Sequence, residues 1–288
     1  MSLPRIAVDA MGGDEGVQTM VSGAALARRR HDKFKFLLVG DEPRIKAALD
    51  AHPSLRGASE ILHCDGVVTG DEKPSKANRR AKTTSMGLAV NAVKAGDAGA
   101  AVSAGNTGAL MAMSKLALRT MPGIDRPALA ALLPSLGDND VIMLDLGANT
   151  ECDARNLVQF AVMGAAYART LLELDNPRVA LLNIGSEDQK GTDEIRDAAA
   201  VLRGQSHLPL NFTGFIEGNQ LARGEVDDAR PLAAPRVLDQ RPAAGQFHIV
   251  AVCGNGQDIH GCGHTCNLAV RGTHRKCVPR RAKPGICA

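Results

Sequence analysis

A glycine-rich segment with amide and hydroxyl side chains follows a short apolar run near residue 100. The run 100–102 precedes Ser103-Ala104-Gly105-Asn106-Thr107-Gly108, and an apolar segment of helical character follows over 109–118. This order is typical of a strand, a tight loop and a helix, and the first N–H groups of such a helix attract an anion. An ordinary turn with Thr107 as the helix cap explains the same residues, so both interpretations stay open.

Three further loops of this kind are present. Residues 9–14, 145–151 and 183–191 each follow an apolar run and are rich in Gly, Asn and Asp. The strand carboxyl ends of an open parallel sheet share one edge, so the sequence predicts that all four loops converge on one crevice.

The elements that would position these loops alternate between strand and helix, which predicts an α/β fold, one αβα sandwich with a mainly parallel sheet over residues 5–227. The predicted strands are 6–8, 34–39, 61–62, 100–102, 129–133, 141–146, 179–184 and 210–212, and the predicted helices are 17–30, 43–49, 85–94, 109–118, 153–174 and 192–202. Residues 65–82 are polar and basic, and they fit a loop or a short exposed helix.

The chemistry of the loops suits an anion and does not suit a metal. Amides, hydroxyls and backbone N–H groups dominate, and Lys190 supplies a positive charge. No HExxH, DxDxDG or paired Cys/His ligand set occurs before residue 228. The segment from Gly185 to Thr192 has the Lys and Gly of a P-loop in reversed order, so a nucleotide P-loop is not expected there. The segment from Gly12 to Gly16 lacks the first glycine of a GxGxxG fingerprint, so it gives only weak support to an NAD site.

Three carboxylates at strand ends are candidate catalytic bases. Asp9, Asp14 and Asp145 hold these positions, where a carboxylate also caps a helix or braces a loop. No nucleophile lies beside a base, and no GxSxG elbow is present. If the protein is a transferase, the nucleophile is therefore a substrate.

Composition narrows the class of protein. The chain has 288 residues, of which 44% are hydrophobic, but it has only one Tyr, six Phe and no Trp. Aromatic platforms for nucleic acid are therefore not expected. No signal peptide opens the chain and no apolar run approaches the ~18 residues of a spanning helix. Cys64 and Cys152 are isolated thiols, which fits a reduced, cytoplasmic protein.

The sequence changes character after Asp227. Net charge is −3 over residues 1–227 and +6 over residues 228–288, and five of the seven cysteines lie in the second segment. We predict a domain over 1–227 that is incomplete at its carboxyl end, and a divergent tail over 228–288 that is out of frame or disordered, with one strand near 247–252. A zinc module is the alternative, although Cys262 and Cys266 lack a second pair at regular spacing.

Seven segments in register carry a family resemblance. They are IAVDAMGGD, EKPSKANRRAKTTSM, VSAGNTGALMA, GIDRPALAALLP, DLGANTE, LLNIGSEDQKG and GFIEGN. Together they resemble the bacterial phosphate acyltransferase family of phospholipid synthesis, PlsX, from about Arg5 to Asp227. The likeness implies the fold shared by phosphotransacetylases and isocitrate dehydrogenases. It also implies a homodimeric enzyme of fatty acid and phospholipid synthesis that forms acyl-phosphate from acyl-[acyl carrier protein] and inorganic phosphate without a cofactor or metal.

The resemblance also implies partners and site residues. The product would pass to a membrane glycerol-phosphate acyltransferase, which implies peripheral contact with the inner face of the membrane. Catalytic roles fall on Lys190, Asn149 and Asn183, with Lys82 and Arg126 as weaker candidates. Phosphate would bind Ser103, Gly105, Asn106, Thr107 and Gly108. The basic residues Lys73, Lys76, Arg79, Arg80 and Lys82 would receive the acidic carrier protein by electrostatic steering, and a solvated surface is the alternative.

The family pattern stops after Asp227, where the family continues with an apolar strand and a further glycine-containing loop. A catalytically inactive remnant of the enzyme is therefore an alternative function, and a dehydrogenase on a related fold is another.

Overall fold

The computed structural model describes residues 4–133, 136, 141–146, 149, 151–172, 174–205, 208, 210–223, 248–251 and 267–270. Its strands are β1 (Arg5–Asp9), β2 (Lys35–Gly40), β3 (Ser59–His63), β4 (Ala100–Ser103), β5 (Ala130–Leu133), β6 (Val141–Leu144), β7 (Arg178–Leu182), β8 (Asn211–Ile216), β9 (His248–Ala251) and β10 (Asn267–Val270). Its helices are α1 (Gly16–Arg30), α2 (Glu42–Leu49), α3 (Pro53–Arg56), α4 (Pro74–Arg79), α5 (Ser85–Ala95), α6 (Thr107–Leu118), α7 (Ala154–Leu172), α8 (Asp193–Gly204) and α9 (Gly218–Arg223).

The described residues form two compact units, each with its own sheet. The first unit holds residues up to Val68, then Arg80–Ser103, together with the strand that begins at Asn267 and lies in its sheet. The second unit holds Thr69–Arg79 and the described residues from Ala104 to Ala251. Both sheets have five strands, in the orders β10-β4-β1-β2-β3 and β5-β6-β9-β7-β8.

The first sheet is covered on both faces, which explains its continuous apolar strands. On one face, Val8, Phe36 and Leu38 pack with buried residues of α1, α2 and α3. The intervening residues Ala7 and Leu37 are also buried, and α5 packs against β1, β2 and β4. The strands β1 to β4 are paired in parallel, so their carboxyl ends lie at one edge.

The second sheet is mixed. β5 runs antiparallel to β6, whereas β6, β9, β7 and β8 are parallel to one another. Ile142 and Leu181 pack against α7 and α8 in the largest apolar cluster described in this unit. Val141 and Ile216 face a smaller cluster that Leu221 of α9 borders.

The predicted fold class is confirmed, because helices flank mainly parallel sheets. The expectation of a single sheet is wrong, because β5 pairs with β6 and starts a second sheet instead of extending the first. Apolar periodicity marks a strand but not its hydrogen-bonding partner, so the sequence could not separate the two sheets. The segment 65–82 contains the short helix α4, and the sequence missed α3, α9 and β10.

Two of the described strands, β9 and β10, lie within the divergent tail. β9 occurs where a strand is predicted near 247–252, and it pairs with β6 on one side and β7 on the other. The clustered tail cysteines and histidines lie outside the described residues. The division of the chain at Asp227 and the origin of the tail stay predictions.

Among the helices that the structure describes, none combines the length and the apolar character needed to cross a bilayer.

Helix α5 shows how local sequence sets an element of the first unit. The Thr84 hydroxyl accepts a bond of 3.4 Å from the Gly87 N–H at its start, and Gly96 ends it in the left-handed conformation, with φ of 87°. Gly87 also permits a close approach, because an added Cβ would lie 2.1 Å from the Ala81 carbonyl oxygen. The position therefore requires glycine although it lies inside a helix.

Two helical glycines of the first unit make a matched test. Gly87→Ala is expected to lower the free energy of unfolding by ~1–3 kcal/mol, because the backbone of Ala81 must move. Gly23→Ala in α1 meets no atom within 4 Å. It is expected to raise the free energy of unfolding by ~0.5–1 kcal/mol through helix propensity. Urea denaturation of both variants measures the two signs, and a stabilised Gly87→Ala protein would contradict the packing argument.

Candidate functional site

The carboxyl ends of β1 and β4 meet through a buried hydrogen bond in the first unit. The Ser103 hydroxyl donates to Asp9 Oδ2 over 2.7 Å, and the Met11 N–H donates to Asp9 Oδ1 over 3.3 Å. Both side chains are 1% exposed. The serine and the backbone therefore hold the Asp9 carboxylate, which fits a brace between neighbouring strand ends better than a free catalytic base.

Burial governs the ionisation of this carboxyl group. Removal from water raises the pKa of Asp9, and the hydrogen bonds from Ser103 and Met11 lower it in part. The cluster leaves no room for a side chain at the adjacent Gly12, where an added Cβ would lie 2.6 Å from Asp9 Oδ2 and 2.9 Å from Ser103 Oγ. The glycine following β1 is thus required by the aspartate.

Asn106 begins α6 and also holds a second segment of its own unit. Its Oδ1 accepts the Ala109 N–H over 2.9 Å, which caps the helix. Its Nδ2 donates to the carbonyl oxygens of Gly70, at 2.9 Å, and Glu72, at 3.0 Å. The cap is therefore Asn106 and not Thr107, the first residue of the helix.

The other glycine-loop residues surround this cap. Gly105 lies between β4 and α6, and Gly108 is the second residue of the helix. An added Cβ at Gly108 would lie 3.0 Å from Pro74 Cγ, so the first turn of α6 packs closely against α4. The unit boundary falls after Ser103, which separates this serine from the rest of the predicted phosphate ligands.

The basic residues between Lys73 and Lys82 are also divided between the two units. Lys73, Lys76 and Arg79 are exposed in the second unit, at and within α4. Lys82 is exposed in the first unit, where half-buried Arg80 donates to the Val67 carbonyl oxygen over 3.3 Å. Four of the five cations are therefore accessible, and Arg80 has a bracing contact.

A second buried carboxylate follows β6 in the other unit. Asp145 accepts from Asn149 Nδ2 over 2.8 Å and from the Cys152 thiol over 3.1 Å. Asn149 Nδ2 also donates to the Pro127 carbonyl oxygen over 3.2 Å. Burial raises the pKa of Asp145, while Cys152, Asn149 and the charge of Arg126 lower it in part. The carboxylate and the predicted catalytic amide are thus bonded to each other.

The backbone of Asp145 has an unusual conformation. Its φ of 64° lies in the left-handed region, which is sparsely populated by residues other than glycine, asparagine and aspartate. Arg126 donates to the Glu151 carbonyl oxygen over 3.0 Å, so it also holds this loop. Such conformations persist where surrounding contacts fix them, and they cluster at functional sites.

The loop after β7 contains Asn183 and Lys190. Asn183 is buried, and its Nδ2 donates to the Lys190 carbonyl oxygen over 3.1 Å. Lys190 is exposed and makes no ion pair with any residue that the structure describes. Because β6 and β7 are both parallel to β9, the loops containing Asn149 and Lys190 leave the same edge of the second sheet.

The four loops therefore form two pairs, one at the strand carboxyl ends of each sheet. Within the described ranges, no group of three or more His, Cys, Asp and Glu could hold a metal ion. Among the exposed groups of these loops, the ammonium of Lys190 is suited to an anion. Sequence reasoning missed Cys152 as a partner of Asp145, although the spacing from DLG to Cys was available as a signal.

Comparison with known proteins bears on this arrangement. Residues 4–228 match the family model described as "Fatty acid synthesis protein". A "Phosphate acyltransferase" of Erythrobacter litoralis is 73% identical over 227 residues, which are 79% of this chain and 64% of the relative. Another protein of that name, from Rhodospirillum centenum, is 56% identical over 77% of this chain and 62% of its own length.

The chain belongs to this phosphate acyltransferase family. It spans less than two thirds of the length of these two family members. The matched residues contain all four glycine-rich loops and both buried carboxylates.

Solved structures show the same fold at lower identity. A phosphotransacetylase from Streptococcus pyogenes has a TM-score of 0.53 at 17% identity, covering 86% of this chain and 77% of that one. The EutD phosphotransacetylase from Staphylococcus aureus has a TM-score of 0.51 at 20% identity, covering 85% and 77%. These similarities support the fold that the family resemblance implies.

The Asp9–Ser103 bond predicts a pH-dependent stability. Ser103→Ala removes a donor to a buried carboxylate, so we expect a loss of ~1–3 kcal/mol once Asp9 is ionised. The pKa of Asp9 is higher in the folded than in the unfolded protein. The free energy of unfolding therefore falls as the pH rises from the unfolded-state pKa of Asp9 towards its folded-state pKa. Without the serine donor the folded pKa rises further, so this fall should be larger and extend to higher pH. Urea unfolding across a pH series measures it, with the exposed Ser75→Ala as control, and a pH-independent loss would contradict the prediction.

The thiol bond to Asp145 predicts an order of stability among variants. Cys152→Ser keeps a donor for the buried carboxylate, whereas Cys152→Ala removes the thiol donor to Oδ2. We expect Cys152→Ala to be less stable by ~1–2 kcal/mol at neutral pH, although alanine is the more apolar residue. Cys64, whose thiol lies 3.8 Å from the Gly66 carbonyl oxygen, supplies the control pair. Chemical denaturation of all four variants tests this, and equal stability at position 152 would count against it.

Proposed function

We propose that the protein transfers an acyl group from acyl-[acyl carrier protein] to inorganic phosphate, forming acyl-phosphate for fatty acid and phospholipid synthesis. The observation that carries this proposal is the family match over residues 4–228, which includes every glycine-rich loop. The relatives named phosphate acyltransferase, at up to 73% identity, supply the reaction class.

In the proposed reaction, a phosphate oxygen attacks the thioester carbonyl carbon. The carbonyl oxygen becomes negative in the tetrahedral intermediate, which then collapses with cleavage of the C–S bond. The carrier thiolate leaves and takes up the proton that the attacking hydrogen phosphate loses as the C–O bond forms. Since phosphate is itself the nucleophile, the protein needs donors that offset charge on phosphate and on the oxyanion, and each such donor is typically worth ~10²–10³ in rate.

Lys190 is the side chain best suited to this electrostatic role. It is exposed at the edge of the second sheet and makes no ion pair within the described part of the chain. Asn106, Asn149 and Asn183 donate to protein carbonyl or carboxylate oxygens instead. We assign Lys190 to charge stabilisation, and the backbone at Gly105, Thr107 and Gly108 to phosphate binding.

The exposed cations Lys73, Lys76, Arg79 and Lys82 are proposed to contact the acidic carrier protein. Their accessibility supports this role, and salt should weaken the association if they act by steering. A homodimer in the cytoplasm, with peripheral contact to a membrane acyltransferase, completes the proposal.

A second candidate function is a catalytically inactive relative. The family match ends at residue 228, and the chain spans 64% of its Erythrobacter litoralis relative. An assay of phosphate-dependent release of carrier-protein thiol, with acyl-phosphate trapped by hydroxylamine, separates the two functions. The reference is a chimera in which the relative's carboxyl-terminal region follows Asp227. Turnover by the full chain supports the enzyme, whereas turnover by the chimera alone supports the inactive relative.

Lys190→Ala is expected to reduce acyl-phosphate formation at least about tenfold in whichever of these proteins is active, because a single charge-stabilising donor is lost. Lys33→Ala, an exposed lysine between α1 and β2, is the matched control and should leave the rate unchanged. Steady-state kinetics at varied phosphate measure the effect. Unchanged kinetics for Lys190→Ala would remove this residue from the mechanism.

A further inference from the structure

In the loop between β7 and α8, hydrogen bonds within the loop hold the backbone of Lys190. Asn183 directly follows β7 and is 8% exposed. Its Oδ1 accepts the Ile184 N–H over 2.9 Å, and its Nδ2 donates to the Lys190 carbonyl oxygen over 3.1 Å. The Lys190 N–H donates to the Glu187 carbonyl oxygen over 3.0 Å. Both backbone polar groups of Lys190 are therefore bonded within the loop.

Two glycines leave the space that this arrangement needs. Gly191 has a φ of 86°, and an added Cβ there would lie 2.2 Å from Asn183 Oδ1. An added Cβ at Gly185 would lie 3.0 Å from Lys190 Cγ, so the lysine stem crosses this glycine. A side chain at Gly191 would displace the Asn183 amide from the loop.

The far end of the loop is held as well. Arg196 of α8 donates to the Gly191 carbonyl oxygen over 2.6 Å and pairs with Asp193. The loop is thus fixed on both sides of Lys190, while its ammonium group stays exposed. A side chain whose backbone is fixed in advance loses less freedom when it engages a ligand.

We infer that Asn183 is a positioning residue that acts through Lys190, by holding the loop from Asn183 to Gly191 so that the ammonium group faces a phosphate ligand. This inference deepens the proposed function and rests on it for the identity of the ligand. It differs from a catalytic role for Asn183, in which the amide itself would contact phosphate.

A double-variant cycle on the full chain tests the inference. Thermal unfolding is followed as inorganic phosphate is titrated, against chloride of equal ionic strength, so that binding is measured without turnover. Lys190→Ala should raise the apparent Kd for phosphate about tenfold, because a charged donor is lost. Asn183→Ala should raise it by a similar factor. The double variant should bind like Lys190→Ala alone, because residues that act as a unit are not additive.

Three results would overturn the inference. Unchanged phosphate affinity in Asn183→Ala is the first, and a double variant that binds much more weakly than Lys190→Ala is the second, since the amide would then contact phosphate independently. The third is a wild-type protein whose unfolding temperature does not respond to phosphate.

Gly191→Ala approaches the same contact from the other side, and it serves if Asn183→Ala does not fold. It should weaken phosphate binding in the wild-type background and add no further loss to Lys190→Ala. Gly204→Ala, where an added Cβ meets no atom within 4 Å, is the control in the same unit. Phosphate binding that depends on Asn183 and Lys190 without acyl-phosphate formation would support the inference while contradicting the proposed function.

Discussion

A carboxylate removed from water needs hydrogen-bond donors, and this requirement shapes the strand ends in both units. Asp9 and Asp145 are almost fully buried, yet each accepts bonds from side chains brought to it by the fold. An unmatched buried charge would be strongly destabilising, so the donors are as necessary as the apolar core around them. The close packing at Gly12 follows from this constraint.

Hydrogen bonds within the protein also determine which side chains of the glycine-rich loops are suited to contact a ligand. Three asparagines in the glycine-rich loops look like anion ligands in the sequence, but each donates to the protein. Asn106 joins two segments of the second unit, Asn149 satisfies a carboxylate, and Asn183 closes a loop. Their amides stabilise the shape of the loops, and in the proposed function these preorganised loops present a lysine to phosphate. Rigid placement of a few donors is how an enzyme stabilises charge without a metal.

The family match and the two-unit organisation have to be considered together. The family model covers residues 4–228, while strands from beyond residue 228 take places in both sheets. β9 fills the position between β6 and β7, so the second sheet depends on a segment outside the matched residues. Any segment that forms the backbone hydrogen bonds and whose side chains pack against the neighbouring core can occupy this position in the sheet. Backbone pairing alone does not preserve the chemistry of a site, because that chemistry depends on particular side chains. A complete sheet is therefore compatible with an active enzyme and with an inactive relative, and an activity assay separates the two.

From the sequence alone we could predict the α/β class, the family, nearly every strand and helix of the first 227 residues, and the positions of the glycine-rich loops. These features are local, because apolar periodicity, caps and glycines act over a few neighbouring residues. The three-dimensional structure was needed to show that the strands form two sheets and that Ser103, Asn149 and Asn183 are hydrogen-bonded to other protein groups. It was also needed to show that the Cys152 thiol donates a hydrogen bond to Asp145. These outcomes depend on which distant groups meet: Ser103 lies 94 residues from Asp9, and no local pattern records that pairing.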